Sequence, residues 1–288
     1  MLNSLTVPPP SPVDRSAYAE ILTLLRRGDV AVLTGAGMST ASGIPDYRGP
    51  DGQRRVQPMQ YAEFLADREG RRRYWARAYA GWDRFAAASP NASHRSVARI
   101  QAQGALSGII TQNVDGLHQG AGASDVIELH GNLGRVECLD CARLFGREDV
   151  HAWLRSANPS FRGGADEIVR PDGDVVLSDE VVARFTLANC PHCGSDRLKP
   201  DVVFFGGAVA RPLVDQSFAL VERSSALLVL GSSLQVMSGY RFVRRAAALG
   251  IPVAVITRGP TRGDAQTTIR VDALLEDVLP GLAVALES

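Results

Sequence analysis

The sequence is short of lysine, of cysteine and of net charge. Lys199 is its only lysine, and every other basic side chain is arginine. A GC-rich codon bias accounts for that more simply than an enzyme sparing its own lysines. The 31 basic residues balance 31 acidic ones, which argues against a general binder of nucleic acid or anionic membranes, since both need a basic excess or a basic face. No apolar run approaches the roughly 20 residues that span a bilayer. The N-terminus, MLNSLTVPPPSPVDRS, has no basic stretch followed by an apolar one, so it does not read as a secretory signal. It is also poor in arginine for a transit peptide. Pro8 to Pro10 make residues 1–15 an extended or disordered lead-in. Together these absences point to a chain working in the cytoplasm. What remains, 45% apolar and 22% charged over 288 residues, suits one large globular domain or a large one with a smaller one attached.

Only four cysteines are present, and they form two C-x-x-C pairs, Cys138–Cys141 and Cys190–Cys193, with 48 residues between Cys141 and Cys190. A reducing compartment disfavours disulfides, and two such knuckles read as one tetrahedral four-thiolate zinc site. A catalytic zinc would keep a ligand position open, so this ion is expected to be structural. His192, inside the second knuckle, is expected to point outward. The long separation requires substructure between the pairs, and Pro171–Phe185 (PDGDVVLSDEVVARF) offers a turn and an apolar segment.

Around the cysteines runs an α/β pattern. Val30–Leu33, Leu106–Ile110, Val126–Glu128, Ala226–Leu230 and Val253–Ile256 read as short buried strands. Ser16–Arg27, Ser93–Gln103 and Arg241–Leu249 read as helices between them. The alternation predicts a Rossmann-like parallel sheet with helices on both faces. Two stretches break it: 48–90, rich in arginine and aromatics, and 132–200, which bears the cysteines. The expected division is a nucleotide-binding domain of 16–47, 91–131 and 201–288, with 48–90 as a helical insertion and 132–200 as a zinc module forming a small domain. The cleft between the two is the expected active site.

The stretch LTGAGMSTASGIPDYRG (residues 33–49) begins as a dinucleotide-binding turn. Thr40 stands where a Rossmann fingerprint has its third glycine, and the chain runs on into a loop carrying Tyr47 and Arg48. Other strand ends carry Gln112-Asn113-Val114-Asp115, His130-Gly131 and Gly231-Ser232-Ser233. Ligands of open α/β sheets bind at such carboxyl ends. Each group alone is weak evidence, but their joint placement concentrates hydrogen-bonding and acid–base groups where a ligand would sit.

The motifs GAGMSTASGIPDYR, TQNVDGLH, LHG, the paired C-x-x-C knuckles, LKPDVVFFG and LGSSLQV, in this order over about residues 16–282, resemble the sirtuin family of NAD-dependent protein deacylases. Within it the chain is most similar to class II, the mitochondrial lipoamidase/ADP-ribosyltransferase branch, on RRYWARAYAGW, CLDC, PDGDVVLS, SSLQVMSGYRF and GPTRGD. The resemblance implies a protein that breaks the nicotinamide–ribose bond of NAD and transfers an acyl group from lysine to ADP-ribose. It implies NAD contacts at Gly35, Ala36, Gly37, Tyr47, Arg48, Gln112, Asn113, Asp115, Gly231, Ser232, Ser233, Thr257, Gly259 and Leu275. Asp115 would hold the nicotinamide carboxamide, Asn113 would order the ribose pocket, and His130 would be the general base, a task that suits a near-neutral imidazole. The phosphates would approach a helix N-terminus after Gly-Ala-Gly. Val202, Val203, Phe204 and Phe205 would pair with the acyl-lysine peptide as a strand. The chain departs from the family at Thr257, where asparagine is usual, and at Gly207, where an acidic residue is common.

Tyr74 and Arg77 form a Y-x-x-R pair similar to the one that reads acidic acyl groups in desuccinylating sirtuins, and an arginine fork suits a carboxylate. Against that, Arg77 lies in an arginine-rich helix where a solvated or structural role is the commoner outcome. Two other functions compete with deacylation: mono-ADP-ribosyl transfer to a protein side chain, and non-catalytic NAD sensing. Acyl-lysine proteins are the expected partners, nucleic acid and membranes are not, and a monomer is expected.

Overall fold

The computed structural model describes residues 15–48, 53–54, 57–162 and 169–287. Residues 1–14 of the expected lead-in therefore lie outside the described residues, and its last residue, Arg15, instead begins a helix. In chain order the first elements are α1 (Arg15–Arg27), β1 (Val30–Thr34), α2 (Tyr61–Ala66), α3 (Arg68–Ala86), α4 (Ala92–Ala102), β2 (Leu106–Thr111), α5 (Leu117–Gly120) and β3 (Val126–Glu128). The cysteine-bearing span holds β4 (Gly131–Cys138), β5 (Leu144–Gly146), α6 (Arg147–Ala157), α7 (Asp179–Ala183) and β6 (Leu198–Val202). The chain closes with α8 (Arg211–Glu222), β7 (Ala226–Leu230), α9 (Met237–Ala248), β8 (Val253–Ile256), β9 (Ile269–Val271) and α10 (Leu275–Ala285).

Six of these strands form a sheet in the order β3-β2-β1-β7-β8-β9, parallel at every pairing. Its central strands are continuous apolar runs because both faces are covered. Ile21 and Leu25 of α1, Val97 and Ile100 of α4, and Leu279 and Leu282 of α10 pack on one face. Leu220 and Val221 of α8 with Phe242 and Val243 of α9 pack on the other. A second sheet, β5-β4-β6, is antiparallel. With α2, α3, α6 and α7 it encloses a separate core around Phe64, Trp75, Val150, Leu154 and Phe185.

The cation–aromatic stack at the centre of this small lobe is unusual. The Arg147 guanidinium lies 4.7 Å from the Trp75 ring centroid and 4.6 Å from that of Trp82, and its Nη2 donates to Ala78 O at 2.9 Å. Trp75 Nε1 donates to Leu198 O at 2.8 Å, tying α3 to β6. The third tryptophan, Trp153 on α6, meets Phe145 edge-on at 5.2 Å.

Three local expectations are revised. The sheet gains β9, whose three residues are too short to stand out as an apolar run. The helix expected to start at Arg241 starts at Met237, because Gly239 is a packing site and not a turn: a Cβ there would lie 2.5 Å from Gln112 Nε2. After Gly-Ala-Gly there is no α-helix start but two single 3-10 turns, Ala36–Met38 and Thr40–Ser42.

Candidate active site

The sheet register explains why distant motifs meet. Thr34 is level with Thr111 on one side and Leu230 on the other. Thr111 is level with Glu128, Leu230 with Ile256, and Ile256 with Val271. The residues just past this row, Gly35, Gln112, Gly231 and Thr257, therefore emerge along one edge. The strand order reverses between β1 and β7, the place where open α/β sheets bind ligands. There the two turns interlock: Gly37 N donates to Gly231 O at 2.8 Å. A Cβ on Gly35 would lie 2.7 Å from the Ser232 Cβ, and one on Gly37 would lie 2.9 Å from Gly231 O. These glycines are required for close approach.

Above this edge and below the small lobe lies a cavity of about 990 Å³. Small-molecule sites span about 300–1,000 Å³, so it has room for a dinucleotide. Its lining includes Gly35, Ala36, Gly37, Tyr47, Arg48, Gln112, Asn113, Asp115, His130, Gly231, Ser232, Ser233, Thr257 and Leu275, and also Tyr74 and Val202 to Phe205. Of the residues singled out from the sequence for cofactor or substrate, Gly259 and Arg77 do not line it. Gly259 is held at the end of the β8 loop by Asp272, whose Oδ1 accepts from Gly259 N at 3.1 Å.

The polar side chains are fixed before any ligand arrives. His130 Nδ1 is 2.9 Å from Gln112 O and its Nε2 is 2.8 Å from Ser238 Oγ. A carbonyl can only accept, so Nδ1 carries the hydrogen and Nε2 stands as the acceptor of the Ser238 hydroxyl. Burial lowers the His130 pKa, the Gln112 carbonyl opposes that, and nearby Arg241 adds to the lowering. The imidazole is thus neutral near pH 7, with its lone pair directed at Ser238 Oγ on the cavity wall. Asp115 Oδ2 accepts from Ser39 Oγ at 2.7 Å and Oδ1 from Leu117 N at 2.9 Å. Burial raises the Asp115 pKa, and these hydrogen bonds pull against it. Asn113 Nδ2 donates to the same Ser39 hydroxyl at 3.0 Å. Gln112 Oε1 accepts from Ser232 Oγ at 2.7 Å, joining two strand ends directly. Tyr47 meets Phe205 edge-on at 5.6 Å, so the loop after the first glycines touches the expected peptide strand.

At the far side of the small lobe the four cysteine sulfurs lie within 4.8 Å of one another. Cys138 Sγ is 3.5 Å from Cys193 Sγ, and Cys141 Sγ is 3.8 Å from Cys190 Sγ. Thiolates at 2.3 Å from a tetrahedral zinc stand about 3.8 Å apart, so the donor set fits one closed, structural ion. His192 is not part of this cluster, and its Nδ1 lies 3.1 Å from Arg143 Nη1.

Residues 35–238 match the family model described as the Sir2 family. The chain belongs to the Sir2 family. It is 51% identical over 276 residues to NAD-dependent protein deacetylase 1 of Streptomyces coelicolor, covering 96% of this chain and 91% of that one. It is 44% identical over 263 residues to NAD-dependent protein deacylase Sirt4 of Drosophila melanogaster, covering 90% of this chain and 84% of that one. A solved Sir2 complex with a p53 peptide and NAD+ superposes with a TM-score of 0.74 at 30% identity, over 92% of this chain and 97% of that one. The family expectation, the fold class and the NAD-dependent deacylase class agree with these likenesses.

For a Sir2 family member, several cavity residues carried no individual mark in the sequence. Ser39 lies inside the glycine motif, yet its role in holding both Asp115 and Asn113 depends on separations of 76 and 74 residues. Ser238, 108 residues from His130, had no signal except the apolar-to-polar change after Val236-Met237. Arg241 and Asp172 also line the cavity. Among the described residues no helix is long and apolar enough to cross a membrane.

Proposed function

We propose that this chain, an NAD-dependent protein deacylase of the Sir2 family, removes acyl groups from protein lysines and yields nicotinamide and O-acyl-ADP-ribose. One observation carries the reading: a neutral imidazole at His130, its Nε2 kept as an acceptor, shares one cavity with Asn113, Asp115 and the glycine turns. When bound, NAD supplies a ribose whose bond to nicotinamide can break in favour of the acyl oxygen. The chain's own residues do the rest. His130 Nε2 takes a proton from a sugar hydroxyl, at the cost of its hydrogen bond from Ser238. Asp115 and Asn113, held by Ser39, grip the carboxamide and order the ribose side. Ser232, Ser233, Thr257 and Leu275 form the wall for the adenosine half, and Gly35 to Gly37 let the phosphates come near the backbone.

The acyl-lysine peptide adds to the Val202–Phe205 segment, with the acyl arm passing Phe204 toward Tyr74. Support comes from the aromatic wall there: Phe204 lies 5.2 Å from Tyr74 and 5.0 Å from Phe64. The division of the chain at 47/48, 90/91, 131/132 and 200/201 into a sheet lobe and a small lobe belongs to the same reading. It is supported by separate cores, although β6 runs two residues past the last boundary.

The test is nicotinamide release from NAD with acetyl-, butyryl- and glutaryl-lysine peptides, for wild type and His130→Ala. Removing a general base costs about 10²–10⁴-fold. We expect peptide-dependent release with O-acyl-ADP-ribose among the products, and a loss of at least about 100-fold in the variant. Release without O-acyl-ADP-ribose would shift the reading to ADP-ribosyl transfer.

A further inference from the structure

On the small-lobe side the cavity is closed by a turn, residues 170–174. Asp172 of this turn lines the cavity beside Pro58, Met59, Tyr74, Pro171 and Phe204. The turn is rigidly placed. Gly173 N donates to Arg170 O at 2.9 Å and Arg170 N to Asp174 O at 2.8 Å. Gly173 has φ 74°, and Gly81 of α3 leaves the space in which a Cβ would meet Gly173 O at 2.3 Å.

The turn brings two carboxyls together in an enclosed place. Asp174 is only 6% exposed, and Oδ1 of both Asp172 and Asp174 is buried without a hydrogen-bond partner. Arg170 Nε reaches Asp174 Oδ1 at 3.7 Å, an ion-pair distance on the side away from the cavity. Burial raises both carboxyls, Asp174 to about 8, and the hydrogen bond between them lowers Asp172 and raises Asp174. Of the two, Asp174 is the one pushed further toward its protonated form, and Asp172 Oδ1 has no donor. None of the cations Arg77, Arg147 and Arg170 lines the cavity; Arg48 and Arg54 do, with Arg54 stacked 5.4 Å from the Phe205 ring centroid. The charge of Arg77 acts on Asp174 instead. The aromatic wall of Tyr74 and Phe204 thus shares the cavity with an aspartate whose Oδ1 lacks a donor.

We infer that Asp172 selects the acyl group, favouring chains with a hydroxyl or N–H toward the far end and rejecting chains that end in a carboxylate. The inference rests on the deacylase reading above. A donor on the acyl chain completes the hydrogen bond that Asp172 lacks. A carboxylate instead brings a second acceptor and a like charge into a desolvated space, where both are costly. This runs against the acidic preference that the Y-x-x-R pair suggests, because Asp172 and not Arg77 is among the residues lining the cavity.

The test compares two isosteric peptides, glutaryl-lysine and its terminal carboxamide, for wild type, Asp172→Asn and Asp174→Asn. Both kcat/KM and, by calorimetry, Kd are measured. Wild type should favour the carboxamide by about tenfold or more. Asp172→Asn should bring the ratio within about threefold by improving the acid, since asparagine can donate to it. Asp174→Asn, keeping a donor toward Asp172, should retain the wild-type order. A wild-type enzyme that takes the acid as well as the carboxamide overturns the inference, whether or not the variants fold. So does an unchanged ratio in a folded Asp172→Asn. Tighter carboxamide binding without nicotinamide release on any peptide would sink the deacylase reading and still support the selection. Binding of neither peptide would overturn it.

Discussion

The two lobes solve the same problem, enclosing a core, with different materials. The sheet lobe does it with aliphatic residues on parallel strands covered on both faces, Val30 to Leu33 and Ala226 to Leu230 being buried without exception. The small lobe has a three-stranded antiparallel sheet, a core rich in aromatics, a cation between two indoles, and four sulfurs gathered at one end. Small cores bury too little apolar surface to be stable alone, and a metal or disulfide commonly makes up the difference. The sheet lobe is thus expected to hold without help, whereas the small lobe is expected to depend on an ion at its four cysteines.

Stripping the zinc should separate the lobes most sharply. Structural zinc sites contribute on the order of 10 kcal/mol to folding. After chelation, or in Cys138→Ser, hydrogen exchange should show the small lobe opening while the sheet lobe stays protected, with deacylation lost. Full activity in protein verified to be zinc-free would contradict this.

An intermediate effect is expected where the sheet lobe is self-complementary. Gly37→Ala places a methyl against Gly231 O. The two turns must part, so KM for NAD should rise about tenfold, with little change in the acyl-peptide preference, as read by initial-rate kinetics over both substrates. A change in acyl preference alone would mean that the lobes are not separable in this way.

The smallest effect concerns acid. His94 and His118 pack edge-on at 5.0 Å beneath the sheet edge. Thr34 Oγ1 donates to Thr111 Oγ1 at 2.8 Å and lies 3.1 Å from His118 Nε2. The ring must therefore donate from Nε2, which leaves Nδ1 bare. Burial lowers His94 to about 3, with the His118 neighbour adding to it, and lowers His118 to about 4. In the unfolded chain both rings take protons near pH 6.5, whereas the folded rings stay neutral down to those values. The unfolded state therefore binds more protons through that window, and stability falls as pH drops below about 6.5. Thermal midpoints at pH 7 and pH 5 should differ less in His118→Asn than in wild type. An equal or larger difference in the variant would show that these rings do not carry the acid sensitivity.

Much of this was readable before any coordinates. Five strands stand out as apolar runs because a parallel sheet buries both faces, and the zinc site stands out because its four ligands exhaust the cysteines. Strand β4 was not readable: Gly131-Asn132-Leu133-Gly134-Arg135-Val136-Glu137 mixes glycine and charge, and beside its short hairpin partner β5 it pairs with β6, distant in sequence. The polar residues that line the cavity were legible at strand ends, but their orientation was not. Ser238 against His130, and Ser39 between Asp115 and Asn113, exist only because the strand ends share one level. Asp172 was the least legible of all. A Pro-Asp-Gly-Asp stretch has the composition of a solvent-facing turn, and only its packing against Gly81 turns it inward.

All three tryptophans, Trp75, Trp82 and Trp153, lie in the small lobe, on α3 and α6. The sheet lobe contains none. Indole emission from this chain therefore reports on the small lobe and, through Trp82 packed with Ile44 and Leu117, on its seam with the sheet lobe. Trp75 and Trp82 moreover face one guanidinium, so loosening of that lobe changes the surroundings of both at once. The unmodified molecule carries its own optical gauge of whether the small lobe is assembled.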